Sequence, residues 1–339
     1  LTPNGPANDF LIHVRLKDQE AKIQQETIGI IGINLLHACF NETNPKVILN
    51  HLYDNLSRDN FEIDMVEVVG EDFDKIDNRL LSLTLVKENM TNAVIFTPDG
   101  KNKYPSDILH KKNILTLRGS FRPVTKVNID MLTNGLEKFK KNKKVDENNI
   151  QILIEITLSN LKSEGEVNER DFLDRADILC SLGYTVMISN YKKYYKLTEY
   201  LSQYTSARIG LIIGVDNLVS MFDEKYYRNL NGGIMEAFGI IVTRDIKIYL
   251  YPYQPNSDKI LQNSTNIPIH PRAKSIYQYL YSNKRIEDID YNSEFLNIFS
   301  KDVLKKINSC ETGTWEHMVP DGVAEIIKEK SLFGMSCKI

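Results

Sequence analysis

The chain has 339 residues, 42% hydrophobic and 26% charged, a balance close to that of ordinary globular domains and outside the ranges of disordered, collagen-like or coiled-coil chains. Lys and Arg number 42 against 45 Asp and Glu, a net charge of -3, so the positive excess of a general polyanion binder is missing and nucleic acid is not an expected partner. At about 150 residues per domain, the length suits two or three domains, or one large α/β unit with an appendage.

No apolar run reaches the roughly 20 residues that span a bilayer. Residues 28–36 are broken by Gly29, Gly32 and Asn34, and residues 209–215 by Gly210 and Gly214. Cys39, Cys180, Cys310 and Cys337 stand far apart with no CxxC pair, which argues against a zinc knuckle or a disulfide scaffold. The expectation is a soluble protein of a reducing intracellular compartment, cytoplasm or organelle matrix. The first residue is leucine, and no charged segment leads into an apolar one, so removal of an upstream piece is expected.

In chain order, β-branched apolar runs predict strands at 11–16, 62–69, 93–96, 114–117, 151–156, 185–188, 209–213 and 246–251. Helical periodicity fills 20–39, 45–56, 77–88, 127–141, 171–182, 194–204 and 225–238. This is an α/β pattern of repeated βα units. Eight steps in roughly 250 residues is the size of a (β/α)8 barrel, placed ahead of an open doubly wound sheet. Pro252, Pro255, Pro268 and Pro271 then interrupt the chain. Beyond them 271–283, 293–308 and 320–330 read as helices, dividing the chain into an α/β domain of catalytic type at 1–255 and a C-terminal helical extension at 256–339. The lysine run at 138–144 reads as a solvated helix end.

Ligands of both α/β architectures sit at the carboxyl ends of the strands, which makes the residues after each strand the candidates. The fourth strand is followed by Arg118-Gly119-Ser120-Phe121-Arg122-Pro123-Val124-Thr125. Its two guanidiniums match phosphate or carboxylate, Ser120 adds a hydroxyl, and the next helix start adds backbone N–H groups. The alternative is a tight turn in which Arg118 and Arg122 pair with neighbouring carboxylates. The Gly-Lys-Ser/Thr element of a phosphate loop is absent.

Glu155 interrupts the apolar run 152–156, where a carboxylate must be hydrogen-bonded, paired or solvated. It is either an acid/base group or the partner of Arg118 across adjacent strands. Ser189 and Asn190, then Gly214 and Asp216, follow later strands and suit orientation of a polar organic ligand; Asp216 reads equally as a helix N-cap. Glu62 and Asp64 share one face of the second strand and read as the exposed side of a half-buried strand. His13 reads as a hydrogen-bonded core histidine. The histidines show neither HxH nor HExxH spacing, so no metal site is expected. Cys39 and Cys180 read as core thiols, and the Gly-x-Ser-x-Gly elbow is missing.

Five segments carry a family resemblance: Asp-Asn-Arg-Leu-Leu-Ser-Leu at 77–83, the segment 118–125, Phe-Asp-Glu-Lys-Tyr-Tyr at 222–227, Gly-Gly-Ile-Met-Glu-Ala-Phe-Gly at 232–239, and Lys-Ile-Tyr-Leu-Tyr-Pro at 247–252. Together they resemble one family of bacterial-type proteins that carries two conflicting labels, nicotinate-nucleotide adenylyltransferase and TonB-dependent receptor, and the likeness spans most of 11–339. The first label implies nucleotidyl transfer, yet neither the HxGH-type motif nor the Ser-Thr-x-x-Arg element is present. The second implies a large outer-membrane β-barrel, which these helices do not suit.

The resulting expectation is an α/β enzyme of transferase or lyase type that binds an anionic or phosphorylated small molecule. Arg118, Ser120 and Arg122 would hold the anion, Glu155 would act as acid/base, and Ser189, Asn190, Gly214 and Asp216 would orient the ligand. Nucleotidyl transfer is the narrower enzyme alternative. The alternative from another class is a catalytically silent, enzyme-derived subunit of a homo-oligomer or larger assembly, for which the 17 tyrosines provide interface material. No residue pattern names a cofactor.

Overall fold

Ten strands are formed among the described residues: β1 Asp9–Leu16, β2 Phe61–Val69, β3 Ala93–Phe96, β4 Asn102–Lys103, β5 Asn113–Arg118, β6 Ile150–Thr157, β7 Thr185–Ser189, β8 Ile209–Gly214, β9 Lys247–Tyr251 and β10 Ile286–Asp288. They belong to a computed structural model that describes residues 7–162, 167–244, 246–254 and 260–336. β1 and β2 pair antiparallel as a separate ribbon, and the other eight form one sheet in the order β10-β9-β8-β5-β6-β7-β3-β4. From β10 to β7 every pairing is parallel, whereas β3 and β4 join antiparallel at one edge.

The sheet is open, with β10 and β4 as its two edges. This corrects the barrel preferred from the strand count. All eight predicted strands exist, but two of them make the ribbon, and the short strands β4 and β10 complete the main sheet. Numbered within the parallel set, the order is 3-2-1-4-5-6, that of a doubly wound sheet. The chain runs outward through β6 and β7, then returns to lay β8 on the other side of β5. A crevice at the carboxyl ends is expected where the winding reverses.

Side-chain alternation explains why the parallel strands read as continuous apolar runs. Leu115, Leu117, Ile154, Ile156, Val186 and Ile188 enter one core, while Ile114, Leu153, Met187, Leu211, Ile213 and Leu250 enter the other. The first face is covered by the helices Lys126–Lys140 and Glu169–Ser181, through Phe139 and Phe172. The second is covered by Tyr194–Leu201, Val215–Met221 and Gly233–Thr243, through Leu197, Leu218 and Phe238. The predicted helix at 225–238 is instead a 3-10 turn, Glu224–Tyr227, followed by Gly233–Thr243.

The C-terminal region is built into this fold. β10 extends the sheet, and Val303, Ile307, Trp315, Val323 and Ile327 join the same core as Leu115 and Leu117. The expected boundary between 255 and 256 lies outside the described residues. Among the described residues no helix is long and apolar enough to cross a membrane.

Candidate functional site

β5, β6 and β7 end side by side, and their register brings three of the predicted residues together. Arg118 is the Cα partner of Glu155, and Thr157 that of Ser189. Arg118 donates from Nε to Glu155 Oε2 at 2.7 Å and from Nη2 to Oε1 at 2.8 Å, while Ser189 Oγ donates to the same Oε1. Glu155 is fully buried, and the Arg118 side chain is only 9% exposed. Burial works against the charge on Arg118, but attraction to Glu155 outweighs it and holds the guanidinium above its ordinary pKa. The Tyr194 ring lies against the guanidinium at 4.4 Å, and burial pushes its phenol up to about 12. Of the two alternatives for Glu155, the geometry forms the cross-strand pair.

This pair engages Nε and Nη2 of the guanidinium. Arg118 lines a cavity of about 300 Å³ together with Thr157, Asn160, Lys192, Lys193 and Asn217, contributed at or just beyond the ends of β5, β6, β7 and β8. The cavity therefore sits over the reversal of the winding. A second cavity of about 510 Å³ adjoins it, sharing Lys192, Lys193 and Tyr226 and adding Asn190, Tyr191 and Tyr200.

The helix Tyr194–Leu201 begins at this junction. Its N-cap residue is Lys193, whose side chain accepts no hydrogen bond from the helix start. The first-turn N–H groups thus lack the usual side-chain acceptor. Lys193 Nζ lies 3.5 Å from the centre of the Tyr226 ring, and burial, reinforced by Lys192, lowers its pKa. Two ammoniums, a guanidinium edge and an uncapped helix start converge here, a combination that favours an anionic group.

The remaining predicted residues lie elsewhere. Arg122 pairs with Asp171, which also holds the buried Arg175, and it lines a different cavity with Asn168, Phe333 and Met335. Ser120 is exposed, and its carbonyl accepts from Arg175. The loop between them is folded tightly. Phe121 is buried with φ of 47°, and a Cβ on Gly119 would lie 2.9 Å from its ring. Thr125 is fully buried, and both its N–H and hydroxyl donate to Asn128 Oδ1 at 3.0 Å. The helix that follows Lys193, unlike the one that follows Thr125, starts at the crevice.

Asn190 donates to Asn89 Oδ1 and lines the second cavity. Gly214 is the N-cap residue of Val215–Met221, which places Asp216 in the first turn, exposed, with Asn217 on the cavity. Glu62 and Asp64 are buried and paired with Arg15 and His13, so this face of β2 is not the exposed side that alternation predicted. Cys180 is buried, its thiol raised to about 11 by desolvation, as a core thiol should be. Cys310 is disulfide-bonded, which does not support the expectation of a reducing compartment; Cys337 lies outside the described residues.

Sequence reasoning missed Lys192 and Lys193, which lie beyond a strand end in a lysine- and tyrosine-rich stretch. The available signal was a helix starting at Tyr194 with none of the usual capping residues before it. No family model matches this chain, and no curated protein does.

Proposed function

We propose that the protein is an α/β enzyme that binds an anionic or phosphorylated small molecule in the crevice over β5 and β8. One observation carries the reading: Lys192, Lys193 and Arg118 line a single cavity beside the uncapped start of the helix Tyr194–Leu201. Glu155 and Ser189 act here as positioning residues. They fix the guanidinium so that little side-chain entropy is lost when an anion arrives. Asn160 and Asn217 supply amides to orient the ligand, and the adjoining cavity takes the part of the molecule beyond the anion.

Arg122 and Ser120 are not needed for this site. The reaction catalysed would be set by what the second cavity admits, and transferase or lyase chemistry on a phosphorylated compound is compatible with it. The test is calorimetric titration of the full chain with inorganic phosphate, pyrophosphate and dicarboxylates at low salt. Saturable binding that weakens as ionic strength rises supports the site; absence of heat with every anion up to millimolar concentration rejects it. The alternative of a silent assembly subunit draws on a different surface, the outer side of the helix Ala21–Asn41.

A further inference from the structure

The helix Ala21–Asn41 is 21 residues long, yet only Thr27, Ile31 and Ala38 on it are buried. Its outward side carries Ile28, Ile33, Leu36 and Phe40, exposed by 48, 69, 65 and 61%. Residues at i, i+3, i+4 and i+7 share a helix face, so Gly29, Gly32, Ile33, Leu36 and Phe40 form one stripe. From 27 to 41 the sequence contains no Asp, Glu, Lys or Arg, in a chain that is 26% charged. Nothing lies within 4 Å of the place a Cβ would occupy on Gly29 or Gly32.

We propose that this stripe is the contact surface of a homodimer, in which two copies of the helix cross about a two-fold axis near Gly32. Three observations favour a second copy of the chain. The stripe offers knobs and hollows together: Ile33 and Leu36 project, while Gly29 and Gly32 leave the helix backbone bare, so one face complements its own rotated image, as an isologous interface requires. Its lack of charge gives a charged partner nothing to recognise. A helix lying on a lipid surface would carry a basic polar face, whereas this one has Lys22 as its only cation, with Glu26 one turn on.

The area suits a concentration-dependent dimer. The three exposed side chains of the stripe, Ile33, Leu36 and Phe40, leave on the order of 400 Å² of apolar surface in water, within the range of the largest patch on a monomer. Pairing two copies removes up to about 800 Å², which fits a weak dimer that forms at the upper concentrations. The contact is independent of the crevice, and either proposal can fail alone.

Sedimentation velocity on the full chain at about 1 to 100 μM, with a parallel vesicle-flotation assay, tests the dimer. The wild type should sediment at twice the monomer mass at the upper concentrations. Ile33→Glu and Gly32→Trp, one adding charge and the other filling the hollow, should each shift the midpoint at least tenfold toward monomer while leaving the far-UV spectrum and melting temperature of the monomer unchanged. If Ile33→Glu fails to fold, Gly32→Trp alone decides. A wild type that is monomeric throughout, a dimer indifferent to both substitutions, or flotation of the wild type that Ile33→Glu abolishes would each overturn the proposal.

Discussion

Arg118 and Glu155 stand opposite each other on adjacent parallel strands and form a two-point ion pair at 2.7 and 2.8 Å beneath the crevice. The pair is nearly dry, so each charge depends on the other. Breaking such a pair from one side typically costs about 3–5 kcal/mol, whereas replacing both partners by apolar residues is often neutral. Arg118→Ala and Glu155→Ala should each lower unfolding stability by that amount, and Arg118→Met with Glu155→Leu should recover most of it. Urea denaturation checks this; single losses below about 1 kcal/mol would contradict the buried pair.

The same double variant separates folding from binding. It removes the guanidinium edge from the cavity, so it should remain folded yet bind anions more weakly than the wild type. Full retention of affinity would show that Arg118 does not contact the anion.

Lys192 and Lys193 have the opposite profile, since neither is a core residue. Lys192→Ala and Lys193→Ala should each weaken anion binding about tenfold, or 1.4 kcal/mol, and change stability by less than about 0.5 kcal/mol. Calorimetry at two salt concentrations reads the effect. Removal of one charge should also flatten the salt dependence, because the screened attraction is smaller.

Acid sensitivity is predicted near Trp315, the only tryptophan and fully buried. Burial raises the carboxyl pKa of Glu316, but hydrogen bonds from the Gly313 N–H and the Lys328 ammonium outweigh it and hold the group at about 2, below its ordinary 4.5. A depressed folded-state pKa contributes stability above the unfolded value and loses it as pH falls through the folded one. The stability gap between wild type and Glu316→Gln should therefore be full at pH 6, shrink below about 4.5 and vanish near 2. Tryptophan fluorescence in urea at each pH measures it, and a gap that widens on acidification would contradict the assignment.

Gly210 on β8 is closely packed by its neighbours. A Cβ there would lie 2.9 Å from both Leu115 Cδ1 and Tyr249 Cε2, and 3.1 Å from Phe139 Cδ2. Gly210→Ala should destabilise by about 1–3 kcal/mol, because three side chains of one core must move together. Thermal unfolding compared with the wild type provides the check.

Much of this architecture is legible in the sequence because apolar runs and their punctuation are local signals. The strand cores at 114–117, 151–156 and 209–213 and the helix over 171–182 all correspond to elements of the structure. The pairing order is not local. No periodicity says that β8 returns to the far side of β5, or that β1 and β2 leave the sheet, and β10 is a three-residue strand in a segment that otherwise reads as helical. At the site, Arg118 and Glu155 stand out as charges in apolar strands, but whether such a charge meets a ligand or a partner depends on register. Lys192 and Lys193 do not stand out at all, since lysines beside tyrosines ahead of a helix resemble any solvated surface.

The most direct test of the crevice is a thermal-shift comparison of the wild type with Lys192→Ala/Lys193→Ala, against inorganic phosphate, sugar phosphates, nucleoside phosphates and dicarboxylates. A ligand at about 100 times its dissociation constant adds about 2.7 kcal/mol to the folded state, enough to raise the melting temperature by several degrees. Such a rise is expected for at least one anion, with its loss in the double variant. No rise with any anion, or an equal rise in both proteins, would contradict the anion site.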